Sequence, residues 1–345
     1  QKKYIYRHYD QFVKNNGVVI PGEADACVLA PIDGASDGVA VTIDSNTYGT
    51  KDPYVSGAYA VAESIRNVIA VGADPIALTD CLNYGNPEKP DVFYDFSEGV
   101  RGIGDAARKL STHNDVVPII SGNVSFYNES ATGQAVVPSP VICCIGRMPN
   151  ADAAHRMQLS HVGAHLILVG NRYHEYAETQ LQSTLVAMGH SVDFSTVPQV
   201  RFEEEKAMNQ AMLAVNNQQL TQAVHDISQG GVWQAAIEML AGDRNWPFVG
   251  LQLACPETMH DTVFLFSENG GFLCEVLPQD LDACLQVFHD HGVMAQTIGI
   301  TNDTQTVTID NQHGPIFQVD VVDALQAFNA KNLATPGTPI YNEKL

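Results

Sequence analysis

Apolar residues in the first 150 positions fall into short β-branched runs around one long stretch of helical spacing. GVAVTID, residues 38–44, lies between a glycine and an aspartate and predicts a strand. In SGAYAVAESIRNVIAVGADP, Ala58, Val61, Ala62, Ile65, Val68 and Ile69 recur every three or four residues, and Gly72 with Pro75 stops the pattern. That segment predicts a helix. FSEGVRGIGDAARKL predicts a second helix at about 95–110, and VVPIISGN and PVICCIGRM read as buried strands.

Near residue 155 the pattern restarts with the strand-like AHLILVGN, followed by a polar, Gln-rich stretch and a helix at about 202–217. HDISQGGVWQAAIEML enters a helix through two glycines, GGFLCEVL reads as a strand, and DLDACLQVFHDHG reads as a helix ending near Gly292. The restart divides the chain into residues 1–150, an α/β domain, and 151–330, an α+β domain, with 331–345 a peripheral tail. No repeat of 20–50 residues is visible, which removes solenoids and propellers.

Composition narrows the function classes. The chain has 345 residues, 45% of them hydrophobic, enough to build two cores. Its 39 acidic against 18 basic residues give a formal charge of -21, which opposes binding to nucleic acid or an anionic membrane; it leaves phosphorylated metabolites open, because local amides and cations act inside the screening length. The seven cysteines are scattered, without a CxxC pair, and read as reduced residues of a cytoplasmic protein rather than a zinc site. No run is long and apolar enough for a bilayer span, and the chain starts at Gln1, as a processed or excised piece of a longer product would.

Three polar clusters carry the candidate chemistry. TDCLNYGNPEKP, residues 79–90, reads as a loop exposing Asp80, Asn83, Gly85 and Asn86, either an ordinary Asx turn or a phosphate and Mg2+ site at a strand end. In IISGNVSFYNES, residues 119–130, a strand opens into Gly122, Asn123 and Ser125, either a hairpin turn or a close approach to a ligand. HDISQGG, residues 225–231, is either a plain N-cap by Asp226 or Ser228, or a helix N-terminus that holds an anion. Weaker candidates are Asp44 with Lys51 and Asp52, and Glu268, Asn269 and Gly270; His225 reads as a structural histidine before a base. Walker A and dinucleotide fingerprints are absent.

The strings NVIAVGADPIALTDCLNYGNPEKP, SEGVRGIGDAARKL and ISGNVSFYNE, with YRHYD, GEADACVL, DPYVSGA and HDISQGG around them, resemble in order and spacing the second half of the synthetase of the formylglycinamidine ribonucleotide synthase family. The likeness implies an α/β domain that lends strands to a shared β-barrel with flanking helices, followed by an outer α+β domain. It implies an ATP-dependent, C–N bond-forming ligase of purine biosynthesis using ATP and Mg2+, with Asp80 and Gly122 on ATP, Asn123 on the metal, Ser125 on the phosphorylated ribonucleotide substrate, and Asp44 and Asp226 at an auxiliary nucleotide site. The family's catalytic histidines belong to the other half and have no counterpart here, so no catalytic residue is assigned.

The implied partners are an N-terminal half and a glutaminase that supplies ammonia. Alternatives are a non-catalytic nucleotide-binding or dimerisation module working as a homodimer, and a stand-alone synthetase of aminoimidazole ribonucleotide type, against which LNYGNPEKP argues. Tyr84 replaces the family's usual Phe, GEADA carries one extra residue, and FSENGG stands where a GESQSR-like string is usual.

Overall fold

The structure is a computed structural model and describes residues 8–9, 16–113, 115–241 and 249–329. Most of YRHYD and the tail 331–345 lie outside these residues.

Two mixed sheets organise the chain. The first contains β1 (Gly17–Val19), β2 (Cys27–Leu29), β3 (Gly38–Asp44), β4 (Asp74–Asn83), β5 (Ile119–Ser125) and β6 (Ser139–Met148), in the order β1-β2-β3-β6-β4-β5. Its neighbours run antiparallel except β4 and β5, which are parallel and joined by a crossover helix. The sheet is open, with β1 and β5 as its edges; among the described residues no barrel closes within this chain.

Helix α1 (Pro53–Ala70) starts where Asp52 accepts from the amide of Val55 and Pro53 presets the first turn, and it ends at Gly72, whose φ is +90°. Helix α2 (Pro90–Lys109) is the crossover between β4 and β5, and Arg108 and Lys109 in its last turn complement the helix dipole. Nearly every residue of α1 is buried, because it lies between the first sheet and elements of the second.

The second sheet contains β7 (His165–Val169), β8 (Ala223–Asp226), β9 (Gly250–Ala254), β10 (Phe272–Val276), β11 (Ala295–Asn302), β12 (Thr306–Asn311) and β13 (Gly314–Asp320), ordered β13-β12-β9-β11-β7-β10-β8. Its helices are α3 (Gln180–Ala187), α4 (Phe202–Asn217), α5 (Gly231–Ala241), α6 (Asp261–Phe266), α7 (Leu281–Asp290) and α8 (Val321–Asn329). One core runs from β3, β4, β6 and α1 through α4 and α7 to Ile167, Val169 and Phe272 of the second sheet. A second core lies on that sheet's far face, under α5 and α8.

The expected strands and helices recur with small shifts, and three features differ. The segment 79–83 is strand, not loop: Asp80 and Asn83 sit in β4, where pairing to β5 and β6 satisfies the backbone whatever the side chains are. Likewise β5 continues through Gly122, Asn123 and Ser125 as the parallel partner of β4, so these residues form no hairpin. Helix α3 lies in the Gln-rich stretch, and none of its residues is buried, which is why no apolar period announces it. Among the described residues no helix is long and apolar enough to cross a membrane.

Candidate functional site

Parallel pairing of β4 with β5 sets Asp80 opposite Gly122, Cys81 opposite Asn123, and Asn83 opposite Ser125. The pleat then separates the four expected residues into two pairs. Asp80 lies over Gly122 on the face that carries Leu78 and Leu82, and burial pushes its carboxyl pKa up. Asn123 and Ser125 share the other face, where Asn123 Nδ2 is 3.4 Å from Ser125 Oγ. One ligand reaching both pairs has to pass around β5, which is exposed along its length.

A Cβ on Gly122 would collide with the Asp80 carboxylate, the movable end of an aspartate side chain, so glycine here fixes the carboxylate's position rather than the strand's fold. Gly122→Ala is therefore expected to leave an exposed edge strand folded, with a melting temperature within about 3 °C of wild type. The same change should weaken any ligand held by Asp80, which calorimetric titration of the assembled protein with ATP would measure.

The second face of the first sheet is apolar and half exposed. Cys27, Val41 and Ile145 align across three strands, with Ile43 opposite Cys143. Ile43 is 68% exposed, whereas Ala40 and Cys144 on the opposite face are fully buried.

A denser constellation lies between the sheets. Asp44 at the end of β3 accepts from Asn67 Nδ2 at 2.8 Å and from Thr42 Oγ1 at 2.9 Å. Asp25 accepts from the amide of Asp226 at 2.9 Å, and one ligand atom each from Asp25, His225 and Asp226 lies within 4.8 Å of the others. Burial, then the charges of Asp44 and Asp226, push Glu63 on α1 well above the carboxylate range. Burial, hydrogen bonds and the neighbouring Asp25 leave Asp44 at about 6; burial and Asp25 raise Asp226 to about 7. The expected pair Asp44 and Asp226 thus belongs to one acidic cluster, which also contains Asp25 and Glu63.

One cation faces this cluster from α1. Arg66 is fully buried, 2.6 Å from Glu205 of α4 and 3.6 Å from Asp226. Asp226 Oδ2 and Asn67 Oδ1 remain buried without a hydrogen-bond donor. Carboxylates that raise one another's pKa, next to orphaned oxygens, form the oxygen donor set a hard divalent cation takes, so the residues fit Mg2+.

In HDISQGG the N-cap reading fails for Asp226, while the helix start does face an anion, the chain's own Glu268 carboxylate. Asp226 is the last residue of β8 and points to Arg66, not to a helix cap. His225 bonds Asp25 at 2.6 Å through Nδ1 and Glu238 at 3.0 Å through Nε2, a buried tie between sheets with no free nitrogen for a base. The amide of Gly230 donates to Glu268 of FSENGG at 2.8 Å. Asp52 serves as the cap of α1, and Lys51 bonds the carbonyl of Phe194. All seven cysteines are unpaired thiols.

Asp25, Glu63, Arg66, Asn67 and Glu205 were not among the expected site residues. The available signal was three polar residues, Glu63, Arg66 and Asn67, within a helix whose other positions are almost uniformly small or apolar.

Comparison with known proteins agrees with this architecture. Residues 23–148 match the AIR synthase related protein N-terminal domain, and residues 161–310 match the C-terminal domain of the same description. The chain is 45% identical over 280 residues to phosphoribosylformylglycinamidine synthase subunit PurL of Methanothrix thermoacetophila, covering 80% of this chain and 35% of that protein. It is 36% identical over 301 residues to the subunit of the same name from Moorella thermoacetica, covering 86% of this chain and 39% of that one. The structure of T. maritima PurL complexed with FGAR shares the fold at a TM-score of 0.72 and 19% identity, over 94% of this chain and 50% of that chain. The chain thus spans well under half the length of the curated relatives it matches. It belongs to the AIR synthase related superfamily, among the PurL-like members.

Proposed function

We propose that this chain is the C-terminal half of a phosphoribosylformylglycinamidine synthase synthetase and works as an ATP-dependent ligase of purine biosynthesis once joined to an N-terminal half. The observation that carries this reading is the open first sheet: its half-exposed apolar face runs on to Asn123 and Ser125 of the edge strand β5, while Asp80 and Gly122 lie directly behind them on the opposite face. A second open sheet of the same kind would cover that face and close a barrel with it. The domain division at about residue 150 is supported by the two sheets and by the break between the two matched segments.

In this reading ATP phosphorylates the formamide oxygen of formylglycinamide ribonucleotide, and ammonia from a glutaminase displaces phosphate to leave the amidine. Asp80 and the close backbone approach at Gly122 position ATP, Asn123 assists Mg2+, and Ser125 contacts the ribonucleotide. These groups orient and neutralise charge, which is most of what phosphoryl transfer asks of a protein. The cluster of Asp25, Asp44, Glu63 and Asp226 is the auxiliary nucleotide site, and its carboxylates would hold the Mg2+ that neutralises nucleotide phosphates.

Joining this chain to the N-terminal half of the Methanothrix relative provides the test. With formylglycinamide ribonucleotide, ATP and ammonium chloride, neither half alone should form amidine and the pair should. Asp80→Asn should cut the rate of the pair at least about tenfold. Turnover by this chain alone, or an active pair indifferent to Asp80→Asn, would overturn the reading.

A further inference from the structure

Glu268 is 1% exposed and meets three donors from three separate segments. Its Oε1 accepts from the amide of Gly230, just before α5, at 2.8 Å and from the amide of Gln180, the first residue of α3, at 2.7 Å. Its Oε2 accepts from Tyr48 Oη, in the turn between β3 and α1, at 2.9 Å. Gly230 and Gly231 both have positive φ, at 85° and 70°, and a Cβ on Gly231 would approach the carbonyl of Leu265 to 2.8 Å. The glycine pair lets the chain turn tightly enough against 265–266 to point the Gly230 amide at the carboxylate.

Two backbone amides at adjacent helix starts and a phenol hydroxyl, all converging on one anion, form a cradle that suits any compact oxyanion. We propose that this cradle is an anion-binding site kept closed by the chain's own carboxylate, with Glu268 as an internal ligand that excludes external carboxylate and phosphoryl groups. Burial raises the pKa of Glu268 while the three donors lower it, as for a carboxylate held in place by hydrogen bonds. FSENGG and HDISQGG therefore act as one unit, anion and cradle. A nucleotide at the nearby acidic cluster then finds the Gly230 amide occupied, and its phosphates depend on a cation instead. The inference concerns the isolated chain and stands whether or not a partner half joins it.

Truncating the internal ligand gives the test. Glu268→Ala in the full chain should melt below wild type. In about 0.1 M sodium acetate it should regain about 2 °C or more relative to sodium chloride of equal ionic strength, with inorganic phosphate acting similarly. Wild type should not distinguish acetate from chloride. Glu268→Gln keeps the volume and one carbonyl acceptor, so it should stay folded and also show no preference. If Glu268→Ala is recovered only unfolded, refolding yields in the two salts give the same reading: several-fold more folded protein in acetate supports the cradle. Equal yields, equal melting in acetate and chloride, or a response in Glu268→Gln as large as in Glu268→Ala would overturn it.

Discussion

Replacing Arg66 with methionine should cost the folded chain about 3–5 kcal/mol in urea unfolding at neutral pH with a chelator present. The guanidinium is fully buried on α1, where it reaches Glu205 at 2.6 Å and Asp226 at 3.6 Å from the second sheet's elements. Its removal leaves two buried carboxylates beside Asp25, Asp44 and Glu63, and the uncompensated charge dominates the loss. Methionine fills much of the arginine stem's volume, so the cavity contribution is small. The double variant Arg66→Met with Glu205→Leu removes one of the stranded carboxylates and should recover part of the loss; the cycle with Glu205→Leu alone measures the coupling. A single-variant loss below about 1 kcal/mol would mean that the carboxylates take up protons or water instead, and the ion pair would not be what joins α1 to α4.

How much of this arrangement the sequence discloses depends on which force sets each part. Helix α1 was legible because Ala58, Val61, Ala62, Ile65, Val68 and Ile69 repeat the helical period and Pro53 and Gly72 punctuate its ends. Strands β3 and β6 were legible as β-branched runs. The strand character of residues 79–83 was not, because Thr79, Asp80 and Asn83 have turn composition and their conformation is imposed by two neighbouring strands far away in sequence. The resemblance placed Asp80 and Gly122 near each other, and strand pairing sets them directly opposite; the separation of Asn123 and Ser125 onto the other face follows from register, which no single segment specifies. Asp25 meets His225 across 200 positions, a contact fixed by the docking of two sheets and invisible to local pattern. The partnership of Glu268 with Gly230 is of the same kind, since each segment alone looks like a polar turn.

The acidic cluster should make the chain less stable as pH rises from about 5 to about 8 in the presence of a chelator, and a divalent cation should reverse that trend. Asp44 at about 6 and Asp226 at about 7, with Glu63 also raised, hold protons in the folded state that ordinary unfolded carboxylates release near pH 4. Between those limits the folded state binds more protons than the unfolded one, so unfolding free energy falls with pH until Asp226 has ionised. His225, raised by Asp25 and Glu238 against its burial, adds a loss of the same sign above about pH 6.5. Buried His155, lowered to about 4, works in the opposite direction between about pH 4 and 6.5, so the slope is best read as a difference between variants. Asp226→Asn removes one titrating group and keeps its shape, and should flatten the decline by a few kcal/mol over the range. Millimolar Mg2+ should raise the melting temperature of wild type at pH 8 and leave Asp226→Asn nearly unchanged, because cation binding needs the ionised cluster. Parallel pH profiles for the two proteins, or equal responses to Mg2+, would show that these carboxylates neither repel one another nor gather around a shared cation.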